Sequence, residues 1–229
     1  MNLEINITKT LKVLFLFNIV LLIANCVGLF FKHYLGYDYV YGLVNLFDFS
    51  RESNIPTYYS AVLHLCASSL LAVIAYLNSK NAKPFKIAWT CLALIFLFLS
   101  YDEIASVHEA VGEAVEDRMA TSSYFYFAWV VPYGIAVLLF VLIYVPFLLS
   151  LSKKIRWLFV ASGAVFVIGA LGFEMLEAVR VEAHGRDDFI YAVLYTIEEF
   201  LEMAGISLFI YTLLLYITQE YKKINLSLG

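Results

Sequence analysis

This sequence is poor in charge and in cysteine, and both shortages exclude functional classes. Only 15% of the residues are charged, whereas 62% are hydrophobic and the mean hydropathy is +0.82. Because a soluble domain carries about a quarter charged residues, this composition excludes an ordinary soluble enzyme and predicts membrane-spanning helices. The three cysteines all lie within apolar runs, and their odd number and spacing argue against a disulfide framework or a zinc motif.

Recognisable phosphate-binding and nucleophile motifs are also lacking from the sequence. There is no glycine-rich phosphate loop, no serine nucleophile elbow and no basic patch of the kind that binds nucleic acid. We therefore assign no catalytic residue and no organic cofactor from the sequence, and we expect no nucleic-acid partner.

The chain is built instead from long apolar segments. Several exceed the roughly 18 residues that cross about 30 Å of hydrocarbon as a helix. We predict six spans, at about 12–31, 57–78, 85–107, 124–151, 157–176 and 199–216. The sequence thus predicts an all-α, polytopic membrane protein whose residues 1–229 form a single bundle of six transmembrane helices. In the connection at about 32–56, apolar residues recur at helical spacing, which indicates a short interfacial helix in the first outer loop.

Basic and acidic residues lie at opposite ends of these spans. Ten of the fifteen basic residues share one end: Lys9, Lys12, Lys80, Lys83, Lys86, Lys153, Lys154, Arg156, Lys222 and Lys223. Of the nineteen acidic residues, all but Glu4 and Glu220 lie at the other end. Because basic loops stay in the cytoplasm, we expect cytoplasmic N and C termini in a cell-membrane protein with an acidic, extracytoplasmic end. The lipid bilayer is its first expected partner.

Acidic side chains crowd the outer ends of the third, fifth and sixth spans, and a histidine lies near them on the second. Carboxylates at the hydrocarbon boundary are costly unless they face a cation, water or one another. Counting along each helix from its basic end brings these groups to one layer. The candidate metal ligands are His64, Asp102, Glu103, His108, Glu109, Glu174, Glu177, Glu198, Glu199 and Glu202.

Helical phase refines this layer. We expect the third, fifth and sixth helices to continue past the bilayer, because their patterns exceed the length needed to cross it. Asp102 and Glu109 would then share a face of the third helix, while Arg180 could pair with Glu177 on the fifth. The groups expected to converge beneath the first outer loop are Glu103 or His108, Glu174 or Glu177, Glu199 or Glu202, and, nearby, His64.

The fourth span looks like scaffold rather than part of the site. It carries no charged residue, and its aromatic residues Trp129 and Tyr133 suit an interfacial belt rather than a cofactor-binding motif.

Two segments resemble known sequences. The stretch YDEIASVHE at the end of the third span and TIEEFLEMAG in the sixth are similar to segments of uncharacterised bacterial multi-pass membrane proteins. This resemblance covers about two helices and implies no activity. Ferritin-like di-iron proteins are a second comparison, but this chain lacks their Glu-x-x-His signature, since Ser106 follows Glu103 and Glu177 follows Glu174 at that spacing.

Three functions fit an acidic site of this kind. The first is a divalent metal site, for iron, manganese, calcium, magnesium or zinc, in a membrane metalloenzyme for oxidation or hydrolysis. The second is a transporter or channel for cations or protons. The third is an accessory or assembly subunit whose acidic surface binds another membrane subunit or a second copy of the chain. The scarcity of polar groups in the inner half of the spans favours the metal site over a transport path.

The orientation of the bundle can be tested by labelling in a background without the native cysteines. Single cysteines at Asp117 and Asp187 should react with a membrane-impermeant maleimide in intact cells, because the acidic end is predicted to lie outside. Cysteines at Lys83 and Lys154 should react only after the membrane is permeabilised. The opposite accessibility would place the acidic site in the cytoplasm.

Overall fold

The computed structural model describes residues 6–118 and 121–221. Over these residues the chain is helical, and it contains no β-strand. In chain order the helices are α1 (Ile7–Leu35), α2 (Leu43–Phe47), α3 (Ile55–Lys80), α4 (Lys86–Ala105), α5 (Val107–Glu116), α6 (Val130–Ser150), α7 (Lys153–Val167), α8 (Glu174–His184) and α9 (Phe189–Glu220). A π-helical turn at Ile168–Phe173 joins α7 to α8 without a break.

The predicted number of spans is confirmed. Helices α1, α3, α4, α6 and α9, and the continuous segment Lys153–His184, are each long and apolar enough to cross a membrane. The last two contain 32 residues each, more than the roughly 20 that a crossing needs. The short helix expected in the first connection is present as α2, preceded by a 3-10 turn at Val40–Gly42. Its position at the membrane surface stays a prediction.

Described residues of the basic pattern flank the same end of the bundle. They lie in the first turns of α1, at the end of α3, in the connection to α4 and at its first residue, and in the first turn of α7. The far end of α9 belongs to this basic end too, because Lys83 forms a 2.7 Å ion pair with Glu220. Glu4, Lys222 and Lys223, which contribute to the charge pattern, lie outside the described residues.

Helix α9 lies at the centre of the bundle, where it packs against α1, α3, α7 and α8. Met203, Ser207 and Leu213 on this helix are fully buried. Small residues allow the close approach: a Cβ added to Gly205 would lie only 2.8 Å from the backbone nitrogen of Phe166. Glycine at helix contacts is typical of membrane bundles, where packing rather than the hydrophobic effect holds the helices together.

Buried polar pairs join the other helices to this centre. The Asn18 amide donates to the Ser207 hydroxyl at 3.1 Å, and the Asn25 amide donates to the Thr196 hydroxyl at 2.8 Å. Both bonds join α1 to α9 in an apolar interior, where unpaired amides would be costly. They therefore fix the register of α1 along α9.

Helices α3 and α4 form an antiparallel pair. The Ser100 hydroxyl donates to the Ala61 carbonyl at 2.8 Å, and the Ser68 hydroxyl donates to the Ala93 carbonyl at 2.7 Å. This register brings the beginning of α3 beside the end of α4. The polar residues of both helices therefore meet at the acidic end of the bundle.

The third span does not continue as a straight helix, so the face predicted to join Asp102 and Glu109 is wrong. Helix α4 ends at Ala105, Ser106 adopts a left-handed conformation with φ of 46°, and α5 starts at Val107. The Asp102 carboxylate accepts a hydrogen bond from the backbone N–H of His108 at 2.8 Å. This contact satisfies one of the N–H groups that a new helix leaves free, which favours the break.

The predicted pairing of Arg180 with Glu177 is also wrong. Arg180 instead makes a two-point contact with Asp188, at 2.6 Å and 2.8 Å. The turn at Gly185 brings Asp188 back beside α8, where its carboxylate also accepts from the backbone N–H of Tyr191 and starts α9. The hydrogen bond from Arg180 holds the pKa of Asp188 well below its usual range.

The tight contact between α7 and α9 predicts a large effect of one methyl group. Gly205→Ala should lower the stability by about 1–3 kcal/mol, because its Cβ would overlap backbone atoms of Phe166 that cannot rotate away. Gly163→Ala is the matched control, since no atom lies within 4 Å of the position its Cβ would take. Thermal unfolding in detergent should show a lower Tm for Gly205→Ala alone. Equal Tm values would show that α9 is not tightly packed against α7.

Candidate metal centre

Three carboxyl groups meet between α8 and α9. One oxygen from each of Glu174, Glu177 and Glu198 lies within 4.8 Å of the other two. Glu177 and Glu198 are buried, with 2% and 8% of their surface exposed, and Glu174 is half-buried. Two oxygen ligands that each lie about 2.0–2.6 Å from a shared ion can be at most about 4–5 Å apart. The spacing therefore fits one divalent cation.

The π turn and a glycine create this meeting point. Glu174 and Glu177 occupy the first turn of α8, directly after the π turn. Gly169 within that turn faces α9 so closely that a Cβ would lie 2.9 Å from the carbonyl oxygen of Glu198. The two backbones can therefore approach only because residue 169 has no side chain. π-helical turns inside α-helices occur frequently at functional sites.

The carboxyl oxygens of this group are unequally satisfied. Glu174 Oε1 accepts a hydrogen bond from the indole Nε1 of Trp129 at 3.0 Å. Glu177 Oε1 is buried and has no hydrogen-bond partner among the residues that the structure describes. A buried polar atom without a partner costs about 1–3 kcal/mol, and more when it carries charge. A bound cation would supply the interaction that this oxygen lacks.

Three further carboxyl groups extend the buried group toward α4. Among neighbouring charges, that of Glu103 acts most strongly on both Glu199 and Glu202. The charges of Glu174 and Glu177 also act on Glu202. The acidic side chains therefore form one continuous cluster from α4 across α9 to α8.

A second compact group of candidate ligands lies on the exposed side of this cluster. Ligand atoms of Glu52, His108 and Glu109 lie within 4.8 Å of one another, with both glutamates exposed and the histidine half-buried. Sequence reasoning missed Glu52. The sequence offered one indication of its role, the position of Glu52 just before the second span at the acidic end. Its proximity to His108 depends on tertiary structure alone.

Asp102 orients the histidine of the exposed group. Its Oδ1 lies 3.3 Å from His108 Nδ1, and its Oδ2 accepts a hydrogen bond from the Tyr133 hydroxyl at 3.2 Å. Burial by itself lowers the pKa of His108, but the hydrogen bond and charge of Asp102, together with nearby glutamates, outweigh it and raise this pKa. A metal ion at this histidine would therefore compete with a proton that is held more strongly than on a free imidazole.

Trp129 connects the two groups. Its indole N–H binds Glu174, and its ring stands edge-on to the His108 imidazole with centroids 5.2 Å apart. Sequence reasoning assigned Trp129 and Tyr133 to an aromatic belt, yet their polar atoms hydrogen-bond to two of the candidate acids. The sequence signal for this role was their position at the acidic end of an uncharged span.

His64 lies deeper than both groups. It is 1% exposed, and its ring packs between Phe96 and Phe166. Its Nδ1 lies 3.0 Å from the Ser60 carbonyl oxygen, whereas its Nε2 is buried without a hydrogen-bond partner in the described part of the chain.

The predicted ligands thus divide into three sets. In the first set, Glu174 and Glu177 meet Glu198, whereas the sequence favoured Glu199 or Glu202 as their partner. In the second set, His108 and Glu109 meet Glu52. The five remaining candidates belong to neither compact group within the described residues: His64, Asp102, Glu103, Glu199 and Glu202. Neighbouring residues on α9 face different helices, so Glu198 lies against α8 while the charge of α4 acts most strongly on Glu199.

The chain belongs to the family described as Domain of unknown function (DUF8692), whose model matches residues 13–217. The matched segment contains every candidate ligand of the two groups and of the layer around His64. Comparisons with curated proteins and with solved structures found no match.

The crowding of carboxyl groups predicts the sign of a mutational effect in metal-free buffer. With a chelator present, Glu198→Gln should raise the stability by about 1–3 kcal/mol, because it removes a like charge from a buried group that lacks partners. Glu116→Gln, on an exposed helix end, is the control and should change the stability by less than about 0.5 kcal/mol. Thermal unfolding measures both. A lower Tm for Glu198→Gln would show that this carboxyl group stabilises the metal-free fold.

Proposed function

We propose that this protein is a multi-pass membrane metalloprotein that binds a divalent ion through Glu174, Glu177 and Glu198. The observation that supports this most strongly is the approach of three carboxyl oxygens to within 4.8 Å in a buried position. Such a group repels itself unless it is protonated, hydrated or bound to a cation.

The donor atoms indicate which ions suit the site. An all-carboxylate group favours oxygen-preferring ions such as manganese, iron, magnesium and calcium over thiolate-preferring ions. The three cysteines, Cys26, Cys66 and Cys91, are exposed and belong to neither compact group of ligands in the described residues. Thiolate ligation therefore has no part in the proposal.

The arrangement suits catalysis by the bound ion. Three protein oxygens leave coordination positions for water or substrate on an ion that takes six or more ligands. A divalent ion held by this group would make a bound water a stronger nucleophile, and a neighbouring carboxylate that does not bind the ion would accept its proton. Metal-assisted hydrolysis at the membrane surface is therefore the reaction class we propose.

We propose that the ion enters at the acidic end, where the exposed group lies. Glu52, His108 and Glu109 lie nearer the surface than the buried carboxylates, and Trp129 contacts both groups. By the distribution of basic residues, we propose that this end faces away from the cytoplasm.

The other half of the bundle favours a closed site over a transport path. Large apolar side chains fill it, each 1% exposed or less: Leu71, Ile74, Trp89, Ile155 and Leu213. The buried polar side chains there, Asn18, Asn78 and Thr212, are neutral and already hydrogen-bonded within the bundle. An ion would therefore lose its hydration without meeting a charged ligand. This packing supports the metalloprotein over the transporter.

Metal analysis of the purified full chain tests the proposal. Protein loaded with Mn²⁺ and freed of excess ion should retain at least one ion per chain, and bound metal should raise the Tm. A free ion concentration of about 100 times the dissociation constant stabilises a folded protein by about 2.7 kcal/mol. Retention of no ion by the wild-type chain would overturn the proposal.

Variants locate the ion. Glu177→Gln and Glu198→Gln should each lower the retained metal by at least one ion per chain and reduce the increase in Tm, because each removes one charge from the compact group. Glu116→Gln should behave as the wild type. Undiminished metal binding in both site variants would exclude this group as the ligand set.

A further inference from the structure

We propose that the centre holds two metal ions and that His64 supplies a nitrogen ligand to the inner one. The remaining ligands of this inner position are Glu103, Glu199 and Glu202. The inference rests on the proposed metal site at Glu174, Glu177 and Glu198, and it adds a second ion and a nitrogen ligand to that site.

The hydrogen bond at Nδ1 determines the protonation of the His64 ring. A backbone carbonyl can only accept, so the 3.0 Å contact with the Ser60 oxygen places the proton on Nδ1. Nε2 therefore presents a lone pair, yet it is buried without a hydrogen-bond partner in residues 6–118 and 121–221. Metal-bound histidines almost always donate their other ring N–H to a carbonyl or carboxylate. His64 has this arrangement.

Nδ1 of His64 is held against the preceding turn of α3, so Nε2 is the ring nitrogen left away from that turn. The Phe96 ring on α4 and the Phe166 ring on α7 have centroids 6.1 Å and 5.6 Å from that of the imidazole, so the ring lies among side chains of these two helices. Phe166 in turn touches α9 at Gly205, less than one helical turn from Glu202. The nitrogen thus lies just inside the layer of carboxylates.

Glu103 approaches the same position from α4. Ser100, three residues before Glu103, donates to the Ala61 carbonyl. The end of α4 that carries Glu103 therefore lies beside the turn of α3 that contains Ser60, whose carbonyl holds His64. The charge of Glu103 is also the strongest neighbouring charge on Glu199 and Glu202. Helices α3, α4 and α9 therefore bring one nitrogen and three carboxyl groups to adjacent turns.

Glu202 connects the inner position with the outer one. It responds to the charge of Glu103 on one side and to those of Glu174 and Glu177 on the other. A Cβ at Gly169 would lie 3.2 Å from Glu202 Cγ, so the side chain runs along the π turn toward α8. Two-metal centres hold their ions about 3.5–4 Å apart, and a carboxylate between the two positions can bind both.

A nitrogen ligand changes the preferred metal. Imidazole is a common ligand of iron and zinc, whereas calcium and magnesium bind almost entirely through oxygen. The inner position should therefore discriminate against Ca²⁺ and Mg²⁺, whereas the outer group of three carboxylates accepts them.

Mn²⁺ loading of the full chain in detergent tests this, with metal analysis and pulsed EPR as readouts. The wild type should retain two ions per chain, show magnetic coupling between them and show coupling to an imidazole nitrogen. His64→Gln should retain one ion and lose both couplings. Because a buried substitution can impair folding, Glu103→Gln serves as a second variant and should also lose the inner ion and the nitrogen coupling.

A control variant identifies the nitrogen. His108→Gln removes the imidazole of the exposed group and should leave the two-ion signal and its nitrogen coupling intact. A nitrogen coupling that survives in His64→Gln but disappears in His108→Gln would overturn the inference.

The outcomes also separate this inference from the proposed function. One ion per chain, lost in Glu198→Gln but unaffected by His64→Gln and without nitrogen coupling, would retain the outer site and overturn the inner one. Absence of any bound ion would overturn both.

Discussion

The contact between α9 and the π turn at Ile168–Phe173 sets the position of the acids that α8 and α9 bring together. Gly169 lets the turn approach Glu198, and Gly205 lets the end of α7 approach the next turn of α9. Because neither glycine has a side chain, the helices meet backbone to backbone, and the first turn of α8 comes beside α9. The glutamates of both helices are thereby concentrated in one small volume.

Such a concentration of carboxyl groups is unfavourable in an apolar bundle, and the surrounding contacts offset only part of the cost. Trp129 donates to Glu174, and Asp102 is bound by Tyr133 and by the backbone of His108. Arg180, the arginine of α8, is engaged by Asp188 instead. Among the described residues no ion pair reaches Glu174, Glu177 or Glu198, although the charges of His108 and Arg186 act on Glu174 from a greater distance. This shortage of close cations is the electrostatic reason for proposing a metal ion.

Several features of the fold could be predicted because they depend on local composition alone. Six apolar segments of sufficient length are visible in any hydropathy profile, and the structure has six such helices. The accumulation of candidate ligands near one end of the bundle was also predictable, since a helix of known rise places residues at known depths. Individual partners were harder to predict. The choice of Glu198 over Glu199 depends on the rotation of α9 about its axis, which neighbouring helices determine.

The sequence by itself thus determined the membrane class, the number of long helices and the composition of the acidic end, because these follow from hydropathy and from charge counts. Only the tertiary structure decided how the acids are grouped. The break at Ser106 separated Glu109 from the helix face predicted to carry Asp102, and a loop brought Glu52 to His108. Because Gly169 has no side chain, the π turn and α8 pack closely against α9. Such contacts join residues far apart in the chain, so no local pattern in the sequence encodes their distances.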